Sequence, residues 1–200
     1  MSIALIEDDE AALHSLQLLI EARGMTVRTF DTAEAFLGSL AGYEPACVVS
    51  DVRLPGLSGL EVQRALNAQG KDVPVIFITG HGDIAMAVTA MKEGAFDFVE
   101  KPYNADELIA RIEKAVVAEQ ELRSKESQRR DLLEKVAELS PRQKEVMHLV
   151  AEGLSSKQIA LRLGISSRTV ENYRAWVMER MGANNVAELV RQVLMVGPGV

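Results

Sequence analysis

The sequence predicts two folded parts. The first is an α/β doubly wound fold around a five-stranded parallel sheet, and the second is a small all-α domain of four helices. Three observations carry this. Five short runs rich in Val, Ile and Phe alternate with amphipathic segments over residues 1–118. From Ala105 to Ser140 there is neither Gly nor Pro, and residues 119–131 are nearly all polar. Beyond that stretch come four short helical patterns, punctuated by Gly153, Gly164 and Gly182.

The strand candidates are residues 3–6, 26–29, 47–50, 75–78 and 96–99, each short enough for a buried strand. Helix starts lie between them. Asp31 is followed by Glu34, Ser58 by Glu61 and Asn104 by Glu107, each a capping residue with Glu three positions on. Repeated strand–helix units of this kind build a parallel sheet with helices on both faces. Residues 119–138 read as an exposed helical connector. A rough heptad runs through Leu108, Ile112, Ala115, Leu122, Leu133 and Val136, but Glu119, Glu126 and Arg129 interrupt it, so a coiled coil is the weaker alternative. In residues 139–200, Ser140-Pro141-Arg142-Gln143 and Ser155-Ser156-Lys157-Gln158 are capping boxes. The remaining helical patterns span 155–163, 167–181 and 186–195.

Composition narrows the function classes. The chain has 200 residues, 48 % hydrophobic and 26 % charged, which excludes a disordered tail or a low-complexity spacer. No apolar run approaches the ~18–20 residues needed to span a bilayer, and an acid arrives as early as Glu7, so neither a membrane span nor a signal peptide is expected. The single cysteine, Cys47, excludes an internal disulfide and fits the cytoplasm. It reads as a small core residue rather than a reactive thiol. The net charge of −7 hides a gradient: residues 1–118 hold 18 acids and nine bases, whereas residues 139–200 hold five acids and eight bases. Only the tail has the sign of a nucleic-acid surface.

In a doubly wound sheet, ligands bind outside the carboxyl ends of the strands, where the strand order reverses. Glu7, Asp8 and Asp9 follow the first strand and Asp51 follows the third. With strands one and three as neighbours, these carboxylates converge. Clustered carboxylates repel unless a cation neutralises them, and Mg²⁺ is a hard cation suited to oxygen ligands. A carboxylate beside Mg²⁺ can attack a phosphoryl group. Thr79, ending the fourth strand, offers a hydroxyl, and Lys101, after the fifth, offers a positive charge for phosphate.

Glu7-Asp8, Asp51 within Ser-Asp-Val-Arg-Leu-Pro-Gly, Thr79 within Ile-Thr-Gly-His-Gly-Asp, and Lys101-Pro102 resemble the receiver domain of two-component response regulators, a flavodoxin-like fold, over residues 1–118. The resemblance implies a strand order of 2-1-3-4-5 and a cis Lys101–Pro102 peptide. It implies that Asp51 is the phospho-acceptor, with Mg²⁺ held by Asp8, Asp51 and the Arg53 carbonyl and with Glu7 acting through a water. Many members carry Asp where Glu7 stands. It further implies that Phe98 is a switch residue coupled to Thr79. His81 reads as a loop residue, and His14 and His148 are assigned no chemistry. Residues 84–91 carry no charge on any face. A surface helix normally shows a polar stripe, so Ile84, Val88 and Met91 are expected at a homodimer interface formed on phosphorylation. Burial of this helix by the connector or the second domain is the alternative.

Residues 155–181 read as two helices joined by Leu163-Gly164-Ile165-Ser166, with Ile159, Ala160, Leu163, Ile165, Val170 and Val177 on the inner side. This pattern fits a helix-turn-helix. Leu139-Ser-Pro-Arg142, Gly153-Leu-Ser-Ser-Lys-Gln-Ile-Ala160 and Ser166-Ser-Arg-Thr-Val-Glu171 resemble the LuxR/NarL-type DNA-binding domain. Residues 186–195 are similar to that family's dimerising last helix. Lys157, Ser167 and Arg168 then stand where DNA is touched, the two bases as phosphate contacts. Glu171, Asn172 and Ala175 take groove-facing positions, with Arg174 nearby. The whole chain resembles a response regulator of the FixJ/NarL/LuxR type. The resemblance implies a cytoplasmic transcription factor phosphorylated by a sensor histidine kinase, which then dimerises on double-stranded promoter DNA. It would not be an enzyme beyond its own phosphotransfer and dephosphorylation. The rivals are a Mg²⁺-dependent phosphotransfer enzyme with a structural tail, and a protein-binding adaptor or phosphate sink that never touches DNA. Arg53, standing two residues after Asp51, argues against a phosphatase of the double-aspartate type.

Overall fold

A computed structural model describes residues 2–80 and 84–197, with the backbone alone for Ile84 and Ala85. The chain divides into two compact units, Met1–Leu122 and Arg123–Val200. In the first, β1 (Ser2–Ile6), β2 (Thr26–Phe30), β3 (Cys47–Asp51), β4 (Val75–Thr79) and β5 (Asp97–Glu100) form a parallel sheet in the order β2-β1-β3-β4-β5. The helices are α1 (Glu10–Glu21), α2 (Ala33–Ser39), α3 (Gly59–Ala68), α4 (Ile84–Lys92) and α5 (Ala105–Ala137). The central strands feed two cores because successive side chains point to opposite faces. Val48 and Phe77 pack with Phe36, Leu66 and Ala90 from α2, α3 and α4. Val49 and Ile76 pack with Leu16, Ile20, Leu108 and Ile112 from α1 and α5. Cys47 lies in the second of these cores, where burial pushes its thiol pKa up.

The caps explain most helix starts, with two corrections. Ser58 and Glu61 form a reciprocal capping box on α3. On α2 the cap is Thr32, not Asp31: Thr32 has extended backbone and accepts from the Ala35 N–H, which frees Glu34 for another task. Asn104 accepts from the N–H groups of Asp106 and Glu107, but the Glu107 side chain pairs with Arg111 instead of closing a box. Asp9 caps α1 through the Ala12 N–H at 2.8 Å.

Helix α5 contributes to both units. Leu108, Ile112 and Ala115 belong to the first, and Leu132 and Val136 to the core of the second. Residues 120–131 are exposed throughout. Glu119, expected to interrupt the apolar seam, is instead only 6 % exposed. The steps from Leu108 through Ile112 and Ala115 to Glu119 keep one helix face inward.

The second unit contains α6 (Pro141–Ala151), α7 (Ser156–Leu163), α8 (Ser167–Met181) and α9 (Val186–Val196). Both expected capping boxes are present, at Ser140/Gln143 and Ser155/Gln158. Gly164 and Gly182 end α7 and α8 in the left-handed conformation that glycine adopts at least cost. Val146, Met147, Ile159, Val170, Val177 and Leu189 form the core.

Candidate functional site

The sheet register brings the carboxyl ends of four strands level. Ile6 pairs with Ser50, Asp51 with Ile78 and Thr79 with Glu100. Glu7 and Asp8 therefore emerge beside Asp51, the last residue of β3. Thr79 ends β4, and Lys101 follows β5, its backbone N–H donating to the Thr79 carbonyl at 2.7 Å. The Lys101–Pro102 peptide is cis. Reversal of winding between β1 and β3 makes this end of the sheet a crevice.

One cation joins the two central acids. Lys101 Nζ donates to Asp51 Oδ2 at 2.7 Å and to Glu7 Oε2 at 2.9 Å. Glu7 is 3 % exposed and the Asp51 side chain 12 %. Burial alone would lower the lysine pKa, but the hydrogen bonds to Asp51 and Glu7 outweigh it and hold the ammonium charged, well above the ordinary lysine range. The other Asp51 oxygen, Oδ1, accepts the Arg53 backbone N–H at 2.7 Å. Asp8 is exposed at the rim, and Thr79 is buried. Tyr103 stands half-buried nearby, its hydroxyl pKa raised by burial, with Lys101 opposing and Glu7 reinforcing the shift.

Among the described residues, no three His, Cys, Asp or Glu side chains group as a metal cage. What the strand ends present is a buried carboxylate, Glu7, and a partly buried one, Asp51, sharing an ammonium, with the exposed Asp8 carboxylate beside them. Three carboxylates and one ammonium leave two negative charges, the number a divalent cation neutralises. Mg²⁺ keeps several waters and needs only one or two carboxylates, so the donor chemistry fits that ion.

Two features of the crevice were not foreseen. Glu34 Oε1 on α2 accepts the Leu57 N–H at 3.1 Å and so holds the loop that follows Asp51. Its Asp-x-x-Glu spacing signalled a cap, which masked this role. Gly59 opens α3 against β3, and a Cβ there would strike the Asp51 carbonyl oxygen and crowd the Phe77 ring. Phe98 is exposed and shares a strand face with Glu100, the register partner of Thr79. On α4, Ala87 and Ala90 face the core while Val88 and Met91 are exposed. The side chain of Ile84, and His81, lie outside the described residues.

In the second unit, α7 and α8 are joined by the turn at Gly164, where the Ile165 N–H donates to the Ala160 carbonyl at 3.1 Å. Val170 and Val177 anchor α8 inward. Lys157, Arg168, Glu171, Asn172 and Ala175 are exposed, and Ser167 is partly so. Arg174 is partly buried and reaches the Leu154 carbonyl at 3.5 Å. Tyr173 packs on the core, whereas Trp176 stands exposed.

Residues 3–113 match the family described as response regulator receiver domain, and residues 137–193 that described as bacterial regulatory proteins, luxR family. The chain is 46 % identical over 195 residues to the transcriptional regulatory protein FixJ of Bradyrhizobium diazoefficiens, covering 98 % of this chain and 95 % of that one. It is 40 % identical over 189 residues to the response regulator protein TodT of Pseudomonas putida, covering 94 % and 83 %. Among solved structures, full-length FixJ from B. japonicum matches with a TM-score of 0.62 at 46 % identity, covering 98 % and 96 %. The response regulator StyR matches with a TM-score of 0.83 at 36 % identity, covering 96 % and 98 %. A level row of strand-end acids, an exposed helix-turn-helix and full-length relatives lead to one conclusion: the chain belongs to the two-component response regulators of the FixJ/NarL/LuxR type, a receiver domain followed by a LuxR-type DNA-binding domain.

Proposed function

We propose that a sensor histidine kinase in the cytoplasm transfers a phosphoryl group to Asp51 in the presence of Mg²⁺. The phosphorylated chain then forms a homodimer and binds promoter DNA sequence-specifically through α8. The observation that carries this reading is the Lys101–Asp51 pair at 2.7 Å, in a crevice whose remaining groups are acids and a hydroxyl. An Asp51 oxygen forms a bond to phosphorus as the bond to the donor's imidazole nitrogen breaks, and the imidazole leaves with a proton. Lys101 Nζ, already in hydrogen-bond reach of Asp51, follows the transferred oxygens. The Thr79 hydroxyl donates to one of them, and the space it vacates lets Phe98 turn in. Mg²⁺, when bound, supplies charge neutralisation for the phosphoryl oxygens. Asp8, Asp51 and the Arg53 carbonyl would hold it, with Glu7 acting through a water. Attack by water on the same phosphorus returns Asp51, so the receiver also dephosphorylates itself.

Pairing through α4 and β5 is supported by Val88 and Met91, apolar and exposed one helical turn apart. Ile84 belongs to the same proposed interface. On DNA, Lys157 and Arg168 position the reader on phosphates, with Ser167 also at the contact. Asn172 bonds adenine and Glu171 accepts from cytosine N4, with Ala175 and Arg174 beside them. Phosphoramidate with Mg²⁺ should add one acid-stable, hydroxylamine-labile phosphoryl group by intact mass. Chelation or Asp51→Asn should abolish it, and the modified protein should shift promoter fragments that the unmodified protein leaves free. Undiminished labelling of Asp51→Asn would overturn the assignment of the acceptor. Labelling without any DNA shift would favour the phosphate-sink reading.

A further inference from the structure

Helix α8 leaves one large aromatic side chain uncovered. Trp176, the single tryptophan of the chain, is 65 % exposed. Val170, Val177 and Met181 are buried and fix the inward direction of the helix, and Tyr173 packs on the same core. At about 100° per residue, Asn172 and Ala175 straddle the outward direction. Trp176 follows Asn172 by one turn and stands about 60° to one side of that direction. The indole therefore projects from a flank of α8, beside the residues that face outward.

The dimensions of duplex DNA decide what such a flank meets. An α-helix with its side chains is about 10–12 Å across, and the major groove is about 12 Å wide. A helix seated there touches base edges with its outward side chains and the groove walls with its flanks. Those walls are deoxyribose and phosphate. An indole suits them: its apolar face packs on a sugar, and its Nε1–H, a donor without acceptor capacity, matches a phosphate oxygen. It has no base to stack on, because base faces are closed inside the duplex.

The charges of α8 make a non-ionic contact necessary. Its exposed charged residues balance, Arg168 and Arg180 against Glu171 and Glu179, and Arg180 is already paired with Glu138. The exposed face of the helix thus has no net charge with which to hold phosphates.

We propose that Trp176 is a DNA-backbone contact. Its indole packs on a deoxyribose at one wall of the major groove and donates Nε1–H to an adjoining phosphate. The inference rests on the reading of α8 as the helix that enters the groove. The contact adds buried area and one neutral hydrogen bond without an ionic charge, so it is indifferent to base sequence and nearly indifferent to salt.

The test uses the phosphorylated full-length protein and a duplex that it selects from a random pool. The lone tryptophan reports on its own contact. Adding the duplex should change its emission and protect it from acrylamide quenching, whereas phosphorylation without DNA should do neither. Trp176→Ala should weaken binding about tenfold or more, for selected and unrelated duplexes alike, with the slope of log affinity against log salt unchanged. Lys157→Ala, by contrast, should flatten that slope. Trp176→Phe keeps an aromatic face without the donor and should recover part of the loss. The side chain is exposed, so the Tm of both Trp176 variants should match that of wild type. Full acrylamide access in the complex, or wild-type affinity in Trp176→Ala, would overturn the contact while leaving α8 as the groove-entering helix. Loss confined to selected duplexes would make Trp176 a base reader and overturn the backbone assignment. Protection on phosphorylation alone would place it between two chains instead and also overturn the proposal. Failure to select any duplex would overturn both this inference and the reading beneath it.

Discussion

Glu34 in the first turn of α2 accepts the Leu57 N–H at 3.1 Å, so α2 holds the far limb of the loop that follows Asp51. The near limb is held by the Arg53 N–H on Asp51. Between them Gly56 has φ 77°, and a Cβ there would lie 2.6 Å from Glu34 Oε1. Glu34→Ala should cost less than about 1 kcal/mol of stability but slow phosphorylation of Asp51 by phosphoramidate, because the loop that follows Asp51 loses its hold at Leu57. Glu34→Gln keeps a carbonyl acceptor and should restore most of the rate. Gly56→Ala should do more harm to stability than Glu34→Ala, since it adds about 1–2 kcal/mol of left-handed strain to the clash. Urea unfolding and a labelling time course measure both.

Lys101→Met should leave Glu7 and Asp51 without their shared cation. A fully buried pair loses about 3–5 kcal/mol when one partner is removed. Lys101 is a third exposed, so about 2 kcal/mol is expected. The pH dependence has a definite sign. The folded-state pKa of Lys101 lies above its ordinary 10.5, so its stabilisation is complete below that value and is lost as pH rises through the folded one. The stability difference between wild type and Lys101→Met should therefore be flat across neutral pH and shrink only in strong alkali. A difference that collapses near neutrality would contradict the ion-pair assignment.

Val88→Asp or Met91→Asp should prevent phosphorylation-dependent dimerisation, since each places an unpaired charge in an apolar contact. Both side chains are exposed, so neither variant should unfold the receiver. Sedimentation of the full chain with and without phosphoramidate reads the outcome. A wild-type monomer in both states would remove α4 as the interface.

Lys157→Ala should weaken binding to all DNA sequences and flatten the slope of log affinity against log salt by about one unit. Asn172→Ala should instead relax preference at particular base pairs, at about 1–3 kcal/mol for the preferred base. Comparing duplexes with one and with two half-sites at fixed salt tests pairing. The phosphorylated protein should gain from the second half-site through effective concentration, and the unphosphorylated protein should not.

Much of the crevice was legible because its residues sit where strands end. Apolar runs stop at Glu7, at Asp51 and just before Lys101, and a parallel sheet brings those points together without help from side chains. Glu34 was hidden by ambiguity in the caps. Asp31 and Thr32 are both good capping residues, and only the extended backbone at Thr32 decides between them. Glu119 was misjudged because its charge was weighed above its helical phase. Its position continues the buried stripe, and tertiary packing overrode the preference of a carboxylate for water.

The end of α5 changes where the reader begins as an evolutionary module. Leu132 and Val136 are built into the same core as Val146, Ile159 and Leu189, and Lys135 Nζ donates to the carbonyl of Met181, the last residue of α8. A reader cut at Leu139 leaves one wall of its own core behind. Residues 120–131, exposed along their whole length, belong to neither core. Genetic exchange between receivers and readers of this lineage would therefore be least damaging inside a continuous helix, not at the loop where one domain is conventionally said to stop and another to start.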